Sequence, residues 1–132
     1  MARPLLPATA TRRAILAGVL AALPGVRPAA AHAVVTTSSP ETGAALAESP
    51  RRVTLRFNSR VDHARSRLLL IGPDGTQTAL ELEPPAEPTL LEAVIPAAGV
   101  AWTPGSWRLR WQVLALDGHI TRGDIPFTLQ AP

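Results

Sequence analysis

The chain has 132 residues, enough for one domain, and its formal charge of +3 comes from its first third. Four of the thirteen arginines precede residue 32, and the remainder has nine arginines, no lysine and ten acidic residues, a formal charge of −1. This balance argues against a nucleic-acid-binding protein, because no basic patch with interleaved aromatic residues is present. The absence of cysteine excludes a disulfide scaffold and any thiolate metal site.

The first 31 residues have the pattern of an export signal. Arg12 and Arg13 form a charged start, residues 14–23 form an uncharged apolar run, and an alanine triplet at the end offers a cleavage site. The apolar run is too short for a membrane-spanning helix, which needs about 20 residues. The arginine pair also fits the twin-arginine export signal, so the sequence leaves the export route open. We predict a signal peptide over residues 1–31 and a mature domain over residues 32–132.

The mature part has the pattern of short strands between turns rich in Pro and Gly. The clearest strand is 107–113, in which apolar residues alternate with Arg and Gln, the period of a half-buried strand. The predicted strands are 34–37, 53–57, 68–71, 77–82, 90–95, 107–113 and 125–129. Seven short strands at this spacing favour an all-β immunoglobulin-like sandwich. Only residues 42–47 have a pattern compatible with a single helical turn.

Three histidines, His32, His63 and His119, are candidates for chemistry. If the signal is cut after Ala31, His32 becomes the first residue, and its free amine and imidazole can close a chelate ring on one metal ion. Ala33 also completes a small-x-small cleavage site, so the residues alone leave both cleavage positions open. His63 is predicted to be a surface residue without a ligand role.

The segment Asp117-Gly118-His119 has two compatible interpretations. Asp-Gly is a preferred hairpin turn, and the segment lies between two predicted strands. On an extended backbone, Asp117 and His119 would instead face one side and could reach one ion. With His32 they offer two imidazoles, one amine and one carboxylate, a set that suits Cu(II) in a tetragonal plane. The lack of Met after Met1 argues against a Cu(I) site.

The sequence resembles the CopC family of copper-resistance proteins in several motifs and in their order along the chain. The similar features, in chain order, are His32, residues 39–44, the strand 53–57, and the motifs at 105–111, 117–119 and 123–127. The resemblance covers nearly all of residues 32–132. It implies a seven-stranded Greek-key β-sandwich, cleavage before His32, and Cu(II) ligands at His32 (amine and imidazole), Asp117 and His119.

The resemblance also implies a role and a subtype. It implies a monomeric periplasmic protein, not an enzyme, that acts in copper resistance, by sequestration or by delivery to an inner-membrane copper permease of the CopD type. Some family members have a Met-rich Cu(I) loop, but residues 72–88 contain no Met, which indicates a Cu(II)-only type. Some members have a Glu after the strand that ends in Phe57, where this chain has Asn58-Ser59-Arg60, so no ligand is assigned there.

Two other functions compete with copper binding. One is a metal-free immunoglobulin-like interaction module, for which Asp117-Gly118-His119 would be only a turn. The other is an oxidative copper enzyme with an N-terminal His site. Against it, the chain has no Tyr, Trp107 and Trp111 are predicted to lie in the core, and only Trp102 is a candidate for an exposed aromatic residue.

Overall fold

The computed structural model describes residues 32–131, so the predicted signal peptide at residues 1–31 lies outside the described residues. Within this range the chain is all-β, and no helix in it is long and apolar enough to cross a membrane. The strands are β1 (Val35–Ser39), β2 (Ala44–Leu46), β3 (Arg52–Phe57), β4 (Val61–Ile71), β5 (Gln77–Leu80), β6 (Leu90–Val94), β7 (Gly105–Ala115) and β8 (Ile120–Leu129).

The strands form two sheets that pack on each other. The smaller sheet has the order β1-β3-β6, and the larger has the order β2-β8-β7-β4-β5. Neighbouring strands are antiparallel except for β2 and β8, which are parallel. The prediction of an all-β sandwich is confirmed, with eight strands instead of seven.

The alternation in the sequence produces the buried face of each sheet. In β7, Trp107, Leu109, Trp111 and Val113 are all buried, and the residues between them are exposed or half-buried. Phe127 occupies the same kind of position in β8. Burying one large apolar side chain contributes about 1.5–3 kcal/mol. Among residues 32–131 the buried cluster begins at Ala33 and spans both sheets, so we expect the chain that begins at residue 32 to fold by itself.

The segment 42–47 differs from the prediction of a helical turn. Ala44–Leu46 form β2, and Ala44 pairs with Phe127 of β8. Gln130 N–H also donates a hydrogen bond of 2.8 Å to the Leu46 carbonyl. The periodicity of so short a segment cannot distinguish helix from strand. Pairing with the edge of β8 decides its structure, and that partner lies far away in the sequence.

Two strands of the larger sheet are longer than predicted. β4 begins at Val61 instead of residue 68, and its pairing with β7 shifts register between Asp62 and Arg67. An irregularity of this kind interrupts the two-residue period, which explains why the sequence pattern missed the first half of the strand. β8 likewise begins at Ile120, five residues before the predicted start at residue 125.

Trp102, the candidate for an exposed aromatic residue, is half-buried. Its ring centroid lies 4.4 Å from that of Trp107, against which it packs. The indole N–H of Trp107 donates a hydrogen bond of 2.8 Å to the Thr103 carbonyl. Trp102 therefore covers the edge of the core and does not form a platform for a sugar ligand.

Gly123 of β8 lies directly over the indole ring of Trp111. A Cβ atom at Gly123 would lie 2.5 Å from Cζ2 of that ring. The ring is held from another side by Phe57, at a centroid separation of 5.2 Å. We expect Gly123→Ala to lower the free energy of unfolding by about 1–3 kcal/mol, since an overpacked core must shift to admit the methyl group.

Urea denaturation measures the effect of Gly123→Ala, with Gly99→Ala as the matched control. A Cβ at Gly99 would meet nothing closer than 3.4 Å, an ordinary contact distance. The control is expected to change the free energy of unfolding by less than about 0.5 kcal/mol. Equal losses in the two variants would contradict the assigned contact with Trp111.

Candidate metal site

His32 lies at the end of the sandwich where β3 finishes. The next residue, Ala33, is 2% exposed and belongs to the core. Val34 then makes two hydrogen bonds of 2.9 Å with Asn58: its N–H donates to Asn58 Oδ1, and its carbonyl accepts from the Asn58 N–H. These contacts fix the backbone directly after His32 and leave the His32 side chain exposed. Asn58, to which the sequence assigns no ligand role, therefore positions the backbone that carries His32.

Asp117 and His119 lie in the turn between β7 and β8. The Gly118 N–H donates to the Ala115 carbonyl at 3.0 Å, and the Ala115 N–H donates to the His119 carbonyl at 2.9 Å. Gly118 has a φ of 88°, in the left-handed region that favours glycine. The prediction of a hairpin turn is confirmed, whereas the extended-backbone interpretation is wrong for this segment.

The turn brings the Asp117 carboxylate and the His119 imidazole together. Asp117 Oδ1 accepts the backbone N–H of His119 at 3.0 Å, and Oδ2 lies 2.6 Å from His119 Nδ1. Asp side chains commonly bond the backbone two residues ahead in such turns. The backbone hydrogen bond is the main cause that lowers the pKa of Asp117, followed by the side-chain contact with His119, and the charge of His32 adds to them. Asp117 therefore presents an ionised carboxylate at neutral pH.

The imidazoles of His32 and His119 stand next to each other, although they come from opposite ends of residues 32–131. Their ring centroids are 5.7 Å apart, and the ring planes are inclined by 62°. Metal–nitrogen bonds in proteins are about 2.0–2.1 Å long. At this separation, one ion could reach a nitrogen of each ring after small side-chain rotations.

The contact between Asp117 and His119 also fits a metal ion. Two neighbouring donors, each about 2.0 Å from an ion in a square plane, lie about 2.8 Å from each other. Asp117 Oδ2 and His119 Nδ1 are 2.6 Å apart, which is close to that separation. Without a metal, an N–H at His119 Nδ1 would donate a hydrogen bond to the ionised Asp117 carboxylate at this distance. A metal that bound both atoms would take the place of this hydrogen bond.

The three predicted residues are neighbours, but their side chains do not form a closed cage. Within residues 32–131, no three His, Asp or Glu side chains converge tightly enough to hold a metal ion by themselves. The proposed donor set also includes the amine of His32, which in the uncleaved chain is part of the peptide bond to Ala31. The set is therefore incomplete until that bond is cut.

His63 contacts a backbone carbonyl outside the candidate metal site. It is half-buried, and its Nε2 lies 2.6 Å from the Leu90 carbonyl. Because His63 belongs to β4 and Leu90 to β6, this contact links the two sheets. The predicted surface location is only partly correct, and the contact gives His63 a structural role.

Comparisons with known proteins identify the family. The CopC domain matches residues 35–130. The fold is similar to that of CopC from Methylosinus trichosporium OB3b, with a TM-score of 0.64, 28% identity, and coverage of 75% of this chain and 94% of that chain. PcoC, a methionine-rich copper resistance protein from Escherichia coli, has a similar fold, with a TM-score of 0.58, 22% identity, and coverage of 76% and 100%. The protein YobA of Escherichia coli K12 is 27% identical over 100 residues, which cover 76% of this chain and 80% of YobA. Since the domain match spans most of the sequence, the chain belongs to the CopC family.

Proposed function

We propose that the protein binds one Cu(II) ion where His32 meets the turn between β7 and β8. One observation carries the proposal: the His32 imidazole lies 5.7 Å from that of His119, which in turn contacts the ionised Asp117. Nitrogen and oxygen donors from distant parts of the sequence thus lie together at one end of the sandwich. Membership of the CopC family and a fold shared with PcoC, a copper resistance protein, support copper as the metal.

The proposed ligands are the amine and imidazole of His32, the imidazole of His119 and a carboxylate oxygen of Asp117. Three nitrogens and one oxygen in a tetragonal plane suit Cu(II), and Zn(II) would bind the same set less tightly. Cu(I) prefers sulfur ligands, and residues 32–132 contain neither Cys nor Met. The absence of a methionine-rich segment therefore supports a Cu(II) site without a second site for Cu(I).

The proposed cellular role is copper handling outside the cytoplasm. The export pattern in residues 1–31 supports a periplasmic location, and the sandwich from residue 32 onward supports a monomer with its own core. Such a protein would contribute to copper resistance, by holding copper away from other targets or by delivering it to an inner-membrane permease of the CopD type. Loss of the gene should then change the copper concentration at which growth stops.

A Cu(II) titration of the chain that begins at His32 tests the proposed function. We expect binding of one ion per chain, with a nitrogen-rich tetragonal paramagnetic resonance spectrum. Zn(II) should compete only weakly on the usual affinity order. Absence of a specific Cu(II) signal would leave the interaction module as the better interpretation.

Acidification is expected to weaken Cu(II) binding. The metal binds only neutral imidazoles and an unprotonated amine, and protons compete for these nitrogens of His32 and His119 as the pH falls, so affinity should fall about tenfold or more from pH 7.5 to pH 5. Calorimetric titrations at the two pH values measure the change, and circular dichroism checks that the fold persists. An affinity that does not change with pH would contradict binding through these nitrogens.

Catalysis by bound copper is not expected. The proposed carboxylate of Asp117 would occupy a position that oxygen chemistry needs open, and Trp102 packs on Trp107 and does not offer a flat exposed platform. With ascorbate and peroxide, the copper-loaded protein should show no turnover above that of free copper. Turnover well above that level would favour the oxidative enzyme.

A further inference from the structure

The outward face of the larger sheet gathers arginines from three strands. Residues directly opposite each other in an antiparallel pair share a face, so β4, β7 and β8 present cross-strand rows. The outward rows are Arg67–Gln112–Arg122, Leu69–Arg110–Asp124 and Ile71–Arg108–Pro126. We refer to these three rows as the arginine face. The arginines are scattered in the sequence, and only the register of the strands brings them together.

Positive and negative charges are unevenly distributed between the strands of the arginine face and the rest of residues 32–132, although the net charge is only −1. Strands β4, β7 and β8 together contain five arginines and two aspartates, an excess of three positive charges. The rest of residues 32–132 contains four arginines and eight acidic residues, an excess of four negative charges. One side of the sandwich should therefore attract anions, and the remaining surface should repel them.

Three of the arginines are available to an external anion. Asp124 is bound by Arg110 through hydrogen bonds of 2.8 and 3.0 Å, and it lies 3.9 Å from Arg108. The Arg108 side chain is still 49% exposed. Arg67 and Arg122 are exposed, and neither forms a salt bridge with a carboxylate of residues 32–131. A single aspartate thus leaves most of the positive charge unbalanced.

Exposed aliphatic side chains lie at the end of this face nearest the candidate metal site. Ile120 pairs with Leu114 in the row beyond Arg122, and it is 55% exposed. Leu116, in the adjoining turn, is 73% exposed. A face that combines arginines with exposed aliphatic residues suits an anionic membrane surface, where the cations meet phosphates and the apolar groups enter the interface.

We propose that the arginine face docks on the surface of an anionic phospholipid bilayer. The positive charge is spread over three strands of an open sheet and does not converge on one point, which suits a planar array of phosphates better than a single small anion. A single arginine guanidinium can also bind two phosphate oxygens at once. The acid-rich remainder of the surface would be repelled by the bilayer, and this repulsion would orient the protein with the arginine face toward the lipid. Because Ile120 directly follows His119, docking would hold the candidate metal site beside the membrane. The inference does not depend on copper binding.

Vesicle sedimentation without copper tests the proposal, using the chain that begins at His32. We expect binding to vesicles of phosphatidylglycerol and phosphatidylethanolamine at low salt, and little binding to phosphatidylcholine vesicles. Binding should weaken as salt is raised, because salt screens exposed charges. No sedimentation with the anionic vesicles at low salt, or equal sedimentation with both vesicle types, would overturn the proposal.

Charge variants localise the binding surface. Each arginine near an anionic surface contributes about fivefold to partitioning, so a variant with Arg67→Gln, Arg108→Gln and Arg122→Gln should bind at least about tenfold more weakly. The same three positions changed to lysine should retain most of the binding, which also shows that the positions tolerate substitution.

The matched control removes three arginines in and directly before β3 of the smaller sheet, through Arg51→Gln, Arg52→Gln and Arg56→Gln. Arg52 and Arg56 already pair with Glu92 and Glu87, and the change in net charge is the same as in the first variant. The control should lose less than about threefold in vesicle binding. An equal loss in both variants would overturn the assignment to the arginine face, as would binding to polyglutamate, a model of an acidic protein, without binding to anionic vesicles.

Discussion

Replacing His119 by alanine is expected to weaken Cu(II) binding by about tenfold or more, a loss of at least about 1.4 kcal/mol of binding free energy. The substitution removes the imidazole that lies 5.7 Å from the ring of His32. It also removes the partner of Asp117 Oδ2, so the carboxylate loses the contact that holds its orientation. Calorimetric Cu(II) titration of the chain that begins at His32 measures the effect.

His63→Gln is the matched control for His119→Ala. His63 contacts the Leu90 carbonyl, and glutamine can still donate a hydrogen bond there. We expect its Cu(II) affinity to stay within about twofold of the original protein, since the substituted residue is outside the proposed ligand set. If both variants bind Cu(II) as tightly as the original protein, the proposed ligands are wrong. If only the control loses affinity, the site lies near β4 instead.

Phe127→Ala is expected to lower the free energy of unfolding by about 3–5 kcal/mol. Phe127 is 2% exposed and is among the largest fully buried side chains of residues 32–131. It lies in β8, which pairs with β7 on one side and with β2 on the other. Truncation would leave a cavity where the two sheets meet. Urea denaturation of the purified variant measures the loss.

Leu116→Ala is the control for Phe127→Ala. It tests whether the loss of stability comes from the burial of the side chain and not merely from removing an apolar group. Leu116 is 73% exposed, so its truncation should change the free energy of unfolding by less than about 0.5 kcal/mol. Comparable destabilisation by the two substitutions would mean that Phe127 is not in the core or that Leu116 is covered. Either result would contradict the sandwich as described.

The fold was predictable where the sequence period reports burial directly. The alternation from Trp107 to Val113 identified β7, and the same logic found most of the other strands. It failed at Ala44–Leu46, whose pairing with β8 is set by a distant segment, and between Asp62 and Arg67, where a register shift breaks the period. Local patterns report burial well and distant pairing poorly.

The candidate site was predictable as a set of residues but not in its geometry. His32, Asp117 and His119 stood out by residue type, by the cleavage pattern and by family resemblance. The sequence left a turn and an extended backbone open for Asp117 and His119, and the structure shows that the turn brings them together. The role of Asn58 in holding Val34 gave no sequence signal, since it depends on two segments meeting in space.

The most direct test of the account compares Cu(II) binding by two forms of the protein. One form begins at His32, and the other retains Ala31 in front of it, so only the first has a free amine on His32. We expect tight one-to-one binding with a nitrogen-rich tetragonal paramagnetic resonance spectrum for the first form, and weaker binding or an altered spectrum for the second. Equal and weak binding by both forms would contradict a copper site built on the processed N-terminus.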